Sequence, residues 1–291
     1  MVDQKTTIYD PAAKYEVDVS DVEYRNDGGQ SWLARIYQPK GSGPFPAILD
    51  VHGGAWSGGS RTSAELFDMA LASTGIVVAA VDFRVAPEHP YPAQVQDVNY
   101  ATRWLKANAS RFNALPQNIG GLGSSSGGHT VMLSAMRPHD ERYASITSAE
   151  VAGRDASLDY ILATWPVLDS YARYQYAKRV GRENLIANTE GYFLTEEAMQ
   201  EGNPQLILER GEKVELPPAL IIQGTTDDNV PMSIPHSFVA SYSAAGGHVE
   251  LEEFPDMHHG FGREQSEATD RAIEFMKTFI AKQLSATAAR V

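Results

Sequence analysis

At 291 residues the chain is at the upper end of what one hydrophobic core usually supports, and 43% hydrophobic with 21% charged residues is ordinary for a globular enzyme. A net charge of -13 argues against nucleic-acid binding, which needs a basic surface, and disfavours anionic membranes and polyanionic substrates. The chain has no cysteine, which excludes disulfides, thiolate metal sites and cysteine nucleophiles.

In chain order, Met1 to Asp10 lacks the basic-then-apolar pattern of a secretory signal. Tyr15 to Arg25 and Ser31 to Gln38 read as an antiparallel strand pair turning at Asp27-Gly28-Gly29. Further strands are expected over Pro46 to Val51, Gly75 to Phe83, Asn118 to Gly123, Asp159 to Trp165, Ala219 to Gly224 and His248 to Phe254. The run Ile76 to Val81 is continuously apolar, which suits a strand buried on both faces and is far too short to span a bilayer. Helical patterns cover Ser63 to Ser73, Ala93 to Ala109, Gly127 to Met136, Ser233 to Ala245 and Glu264 to Gln283. The alternation from residue 46 onward predicts a doubly wound α/β sheet. Pro166 to Pro217 interrupts it with a polar, tyrosine-bearing stretch too long for a loop, expected to be a helical insertion that lids the site. Ser285 to Val291 is expected to fray, and a cytoplasmic location is expected. Asn108-Ala109-Ser110 fits a glycosylation acceptor by chance, inside a helical pattern.

Gly123-Ser124-Ser125-Ser126-Gly127 carries the G-x-S-x-G pattern between an expected strand and an expected helix. In a sharp strand-to-helix turn, bulk two residues either side of the nucleophile would strike neighbouring backbone, so glycine is needed there. Among the three adjacent serines only Ser125 has glycine at both places: Leu122 and Ser126 flank Ser124, and Ser124 precedes Ser126.

A serine hydroxyl needs a base, and in this strand-turn-helix context the order is Ser, then Asp or Glu, then His. Asp227 and Asp228 follow the Ala219 to Gly224 strand, and His258 and His259 follow the last strand. We favour Asp227, three residues past Gly224, and His259, directly before Gly260-Phe261. Neither pair has metal-ligand spacing, so no metal is expected. His52-Gly53-Gly54-Ala55-Trp56 follows an early strand, and its small residues let backbone approach a substrate. Gly54, Ala55 and Ser126 are the expected N–H donors to an oxyanion. His52 is expected to brace this loop, His129 to be packed, and the charges of Asp82-Phe83-Arg84 to brace loops. The expected substrate pocket is Trp56, Trp165, Tyr192 and Phe193.

Taken together, His52 to Trp56, Asp82 to Ala93, Gly123 to His129 and the Asp227 and His259 segments resemble the hormone-sensitive-lipase-like esterases. His129 after the double glycine, with Trp104 to Ala109, is also similar to the acetyl-xylan and feruloyl esterase group of BD-FAE type. The resemblance runs from about residue 30 to the C-terminus. It implies the α/β-hydrolase fold: a mostly parallel eight-stranded sheet, helices on both faces and a lid insertion in one domain. It implies a serine carboxylesterase acting on small or short-chain, including aromatic, esters through Ser125, Asp227 and His259, without a cofactor. The expected partner is a small-molecule ester, with no nucleic acid and no membrane; a homodimer is compatible with this. Two departures stand out: Ala55 replaces the third glycine of H-G-G-G, and serine precedes Ser125 where these esterases often carry aspartate. The H-G-G-x-W pattern is also that of animal-type kynurenine formamidases, which leaves amide cleavage as the alternative, and a non-catalytic receptor as a remoter one.

Overall fold

The computed structural model describes residues 9–288. Eight strands form one sheet: β1 (Val17–Asp27), β2 (Gln30–Pro39), β3 (Phe45–Val51), β4 (Val77–Val81), β5 (Ala114–Ser124), β6 (Ile161–Thr164), β7 (Ala219–Gly224) and β8 (Val249–Phe254). Their order across the sheet is β1-β2-β4-β3-β5-β6-β7-β8. β2 is antiparallel to both β1 and β4, and every other neighbouring pair is parallel. Gly28 and Gly29 turn the β1–β2 hairpin with φ of 62° and 111°, which Asp27 and Gln30 close as partners.

The helices are α1 (Glu65–Ala72), α2 (Ala93–Asn108), α3 (Ser126–Met136), α4 (Ser170–Val180), α5 (Glu183–Phe193), α6 (Glu196–Glu201), α7 (Pro204–Glu209), α8 (Ser233–Ala244) and α9 (Glu267–Ala288). Inner strands are buried on both sides, and their residues alternate between two cores as the pleat requires. Ala47, Leu49, Val51, Val77, Ala79 and Val81 face the core built with α2, α3 and α8. Ile48, Val78, Ala80, Leu122, Leu162 and Leu220 face the one built with α1 and α9. In α9 the buried Ala272, Ile273, Met276, Phe279, Ile280 and Leu284 recur at helical spacing, which makes one apolar stripe. No described helix is long and apolar enough to cross a membrane.

Several sequence-based boundaries shift, those of β1, α1 and β6 by up to two residues, and those of β4, β5 and α9 as well. β4 runs only from Val77 to Val81; Asp82 still donates its N–H to Leu33 O at 2.9 Å, while its carboxylate binds Arg61. β5 begins four residues early, with Ala114 paired to Phe45 across a register shift. α9 starts at Glu267 and continues through Ala288, where fraying had been expected from Ser285; residues 289–291 lie outside the described residues.

The stretch between β6 and β7 holds α4 to α7. α4, α6 and α7 begin with a side-chain cap: Asp169 accepts from Ala172 N, Thr195 from Ala198 N and Asn203 from Leu206 N. The insertion has its own apolar cluster, in which Tyr174, Tyr192, Phe193 and Met199 pack with Trp56 and Ala86.

Candidate active site

β5 delivers Ser125 to the carboxyl edge of the sheet, and α3 leaves from it. Ser125 adopts φ 53° and ψ -117°, a strained conformation for a residue with a side chain. The turn is tight where the glycine spacing requires it. A Cβ on Gly127 would lie 2.0 Å from Val51 O, and one on Gly123 would lie 2.7 Å from Gly127 O.

Each of the three serines has a separate partner. Ser124 Oγ is buried against Thr164 Oγ1 at 2.7 Å, and Ser126 Oγ accepts from Trp56 N at 3.1 Å. Ser125 Oγ lies 2.9 Å from His259 Nε2, and His259 Nδ1 lies 2.7 Å from Asp227 Oδ2. Asp227 has a fully buried side chain and is held on both oxygens. Oδ1 accepts from Asn229 N and Val230 N, each at 2.8 Å, and Oδ2 also accepts from Gln223 Nε2 at 2.8 Å. An acceptor this well supplied is held in one orientation, and its bond to Nδ1 fixes the tautomer that leaves His259 Nε2 free to take a proton.

The competing residues lie apart. Asp228 is exposed and pairs with Arg182, and His258 is exposed. A Cβ on Gly224 would lie 2.2 Å from Met257 O, so the two loops that carry Asp227 and His259 pass in direct contact.

The loop after β3 runs over the nucleophile. A Cβ on Gly53 would stand 2.8 Å from Ser124 O and 3.2 Å from Ser125 Cβ. Gly54, Ala55 and Trp56 all have positive φ, at 126°, 52° and 61°. In Ala55 and Trp56 this is costly and persists because the surroundings enforce it. Trp56 N is fixed by Ser126, Trp56 O accepts from Gln94 Nε2 at 2.6 Å and from Ala86 N at 2.9 Å, and Ser57 Oγ donates to Asn188 of α5 at 3.2 Å. The N–H groups of Gly54 and Ala55 have no acceptor among the described residues. Such amides beside a nucleophile can bind a developing negative oxygen.

His52 stacks on Phe83 with centroids 4.1 Å apart and donates from Nδ1 to Gly53 O at 2.8 Å; burial pushes its pKa down. It braces the loop. His129 is fully buried, and burial takes its pKa down to about 4. Its Nδ1 accepts from Trp56 Nε1 at 3.2 Å and its Nε2 donates to Gly202 O at 2.8 Å, which ties the loop to the insertion. Asp82 receives Arg61, and Arg84 pairs with Asp97.

Beside the nucleophile lies a cavity of about 350 Å³. It is lined by His52, Gly53, Gly54 and Ser124, which precedes Ser125 in the chain, by the aromatic Phe67 and Trp165, and by Arg263. Of the expected pocket residues only Trp165 lines it. Trp56, Tyr192 and Phe193 are at most 2% exposed and pack on one another, with Trp56 and Tyr192 stacked at 5.2 Å and 3°. Their aromatic surface is spent on the insertion's core, and no residue of 166–217 lines this cavity. Sequence reasoning missed Phe67, Arg263, Gln223, Asn229 and Arg173. Only Gln223 had a visible signal, as a polar residue inside an otherwise apolar strand.

A family model described as BD-FAE matches residues 35–241. The chain belongs to the BD-FAE family. The match covers the Gly53-Gly54 loop, Ser125 and Asp227 and stops short of His259. Esterase LipC of Mycobacterium tuberculosis is 30% identical over 229 residues, 75% of this chain and 53% of LipC. Carboxylic ester hydrolase LipN of the same organism is 29% identical over 260 residues, 86% of this chain and 66% of LipN. The chain thus spans between half and two thirds of the length of these curated relatives. Among solved structures, butyrate-bound esterase 2 of Thermogutta terrifontis superposes with a TM-score of 0.72 at 25% identity, covering 92% of this chain and 94% of that one. The same esterase phosphoramylated by tabun gives 0.72 at 24% identity, over 91% and 94%. The fold is the α/β-hydrolase fold, as the motifs implied.

Proposed function

We propose that this BD-FAE member is a serine carboxylesterase for small acyl esters. The observation that carries the reading is the hydrogen-bonded chain Ser125–His259–Asp227, at 2.9 and 2.7 Å, beside the amides of Gly54 and Ala55, which have no acceptor among the described residues. His259 Nε2 takes the Ser125 proton as Oγ attacks the ester carbonyl. The carbonyl oxygen becomes an oxyanion held by the Gly54, Ala55 and Ser126 N–H groups. Collapse breaks the C–O bond, and His259 gives its proton to the departing alcohol. Water then attacks the acyl-serine by the same route, releasing the acid and restoring the Ser125 hydroxyl. Asp227 keeps the imidazole oriented and stabilises its charged form.

The cavity supports a compact group. At about 350 Å³ it is near the lower bound for ligand pockets, and its Phe67 and Trp165 walls suit a short chain or a single ring. The Arg263 side chain has no acceptor among the described residues, so a ligand group ending in a carboxylate or other acceptor gains from it. The Thermogutta esterase 2 structure with butyrate bound is in keeping with a ligand of this size. The experiment is treatment with a serine-directed phosphonate followed by peptide mass analysis. An adduct on Ser125 with loss of p-nitrophenyl butyrate hydrolysis is expected; unmodified Ser125 in an active protein refutes the proposal. N-formylkynurenine, assayed in parallel, measures amide cleavage.

A further inference from the structure

The insertion places one buried cation beside the carboxylate loop. Arg173 lies on α4 and is 1% exposed. Its Nε and Nη2 both donate to Asn229 Oδ1, at 3.0 and 2.7 Å, and Nη1 reaches Thr189 Oγ1 on α5 at 3.5 Å. The guanidinium also lies 5.6 Å from the centre of the Trp56 ring. No carboxylate is within ion-pair distance of it among the described residues. A buried cation without a paired anion is costly, and structures keep one where a nearby field repays it. That field comes from Asp227. Burial draws the Arg173 pKa down to about 10, and the Asp227 carboxylate opposes the fall, so the guanidinium is charged at neutral pH.

The other charged groups nearby are engaged elsewhere. Asp228 faces outward to Arg182, Glu190 accepts from Tyr174, and Asp169 caps α4 and accepts from Asn203. His129 is held between Trp56 and Gly202, and His259 takes the Oδ2 side of Asp227. Asn229 joins the two partners: its side chain is clamped by Arg173 and its N–H donates to Asp227 Oδ1.

We infer that Arg173 is a positioning residue, which orients Asp227 through Asn229, so that the insertion completes the site from behind. The inference rests on the esterase reading. It gives the insertion a role in addition to any as a cover: the same side chain touches the Asp227 loop and, through Trp56, the loop over Ser125.

The test is the pH profile of kcat/KM for p-nitrophenyl butyrate in the wild type, Arg173→Met and Arg173→Lys, with kcat and KM separated and the fold checked by near-UV circular dichroism. Removing a positive charge makes proton uptake easier in the region around it, so the acid limb of the profile moves to higher pH. A shift of about half a unit or more is expected for Arg173→Met, with kcat down about tenfold and KM little changed. Arg173→Lys restores the position of the acid limb and only part of kcat, because it cannot bind Asn229 with two nitrogens. A folded Arg173→Met with an unmoved acid limb overturns the inference. If Arg173→Met does not fold, Asn229→Ala decides: a fall in kcat at constant KM supports the relay, and wild-type kcat overturns it. Ser125→Ala is measured alongside. Activity surviving there removes the esterase reading itself, whereas an inactive Ser125→Ala with an unmoved Arg173→Met removes only this inference.

Discussion

Gly54→Ala tests the loop over the nucleophile most directly. Gly54 has φ +126°, a region that residues with a side chain rarely enter, and strain there costs about 1–3 kcal/mol. The new Cβ would also stand 2.2 Å from Gly58 O, more than 1 Å inside the 3.4 Å where ordinary contact begins. The loop must therefore open by roughly 1 Å, and a misplacement of that size costs on the order of 100-fold in rate. Loss of one oxyanion donor costs about 2.7–4 kcal/mol of transition-state stabilisation, or about 10²–10³ in kcat. The expected outcome is a fall in kcat of that size with KM nearly unchanged, since the donors bind the developing charge and not the ground-state ester. Steady-state hydrolysis of p-nitrophenyl butyrate measures it, with urea unfolding to follow the loss of stability. Gly58→Ala is the internal control. Its Cβ would meet only Gly54 O, at 3.9 Å, so activity should be close to wild type. A folded Gly54→Ala with kcat within about threefold of wild type would refute the assignment of this loop to the oxyanion.

The remaining predictions concern the pairs, the cavity edge and acid stability. Ser125→Ala and His259→Ala should be nearly inactive, while the exposed His258→Ala and Asp228→Ala should keep most activity; equal losses at the two histidines would undo the assignment. Arg263→Gln should lower kcat/KM for the mono-p-nitrophenyl ester of glutaric acid by up to about fivefold relative to the neutral butyrate, the scale of at most about 1 kcal/mol for an exposed charge pair; an unchanged ratio removes Arg263 from recognition. His129 links stability to pH. Its folded pKa of about 4 lies below the unfolded value of about 6.5, so the unfolded chain takes up the proton first as pH falls. Its contribution is complete above about pH 6.5 and is lost toward pH 4, up to about 3 kcal/mol. Urea unfolding across pH 4.5–7 should show this slope in the wild type and a weaker one in His129→Gln; parallel slopes would refute it.

What the sequence determined by itself was local. Glycine spacing alone separated Ser125 from Ser124 and Ser126, because the clashes that glycine avoids lie within the turn and against the next strand. Strand–helix alternation was likewise enough for the layer order, because apolar runs such as Val77 to Val81 can only be buried on both faces. The order Ser, Asp, His along the chain followed from where the loops must leave a parallel sheet. Tertiary structure decided what depends on direction. Asp227 and Asp228 are neighbours in sequence, but one folds inward onto two backbone amides and Gln223 while the other meets Arg182 at the surface. Trp56, Tyr192 and Phe193 looked like pocket residues because aromatic composition does not say which way a ring faces, and packing turned all three inward. Arg173 was one arginine in a polar, tyrosine-rich stretch. Only the docking of α4 against the Asn229 loop, from more than fifty residues away in sequence, made it a buried cation beside Asp227.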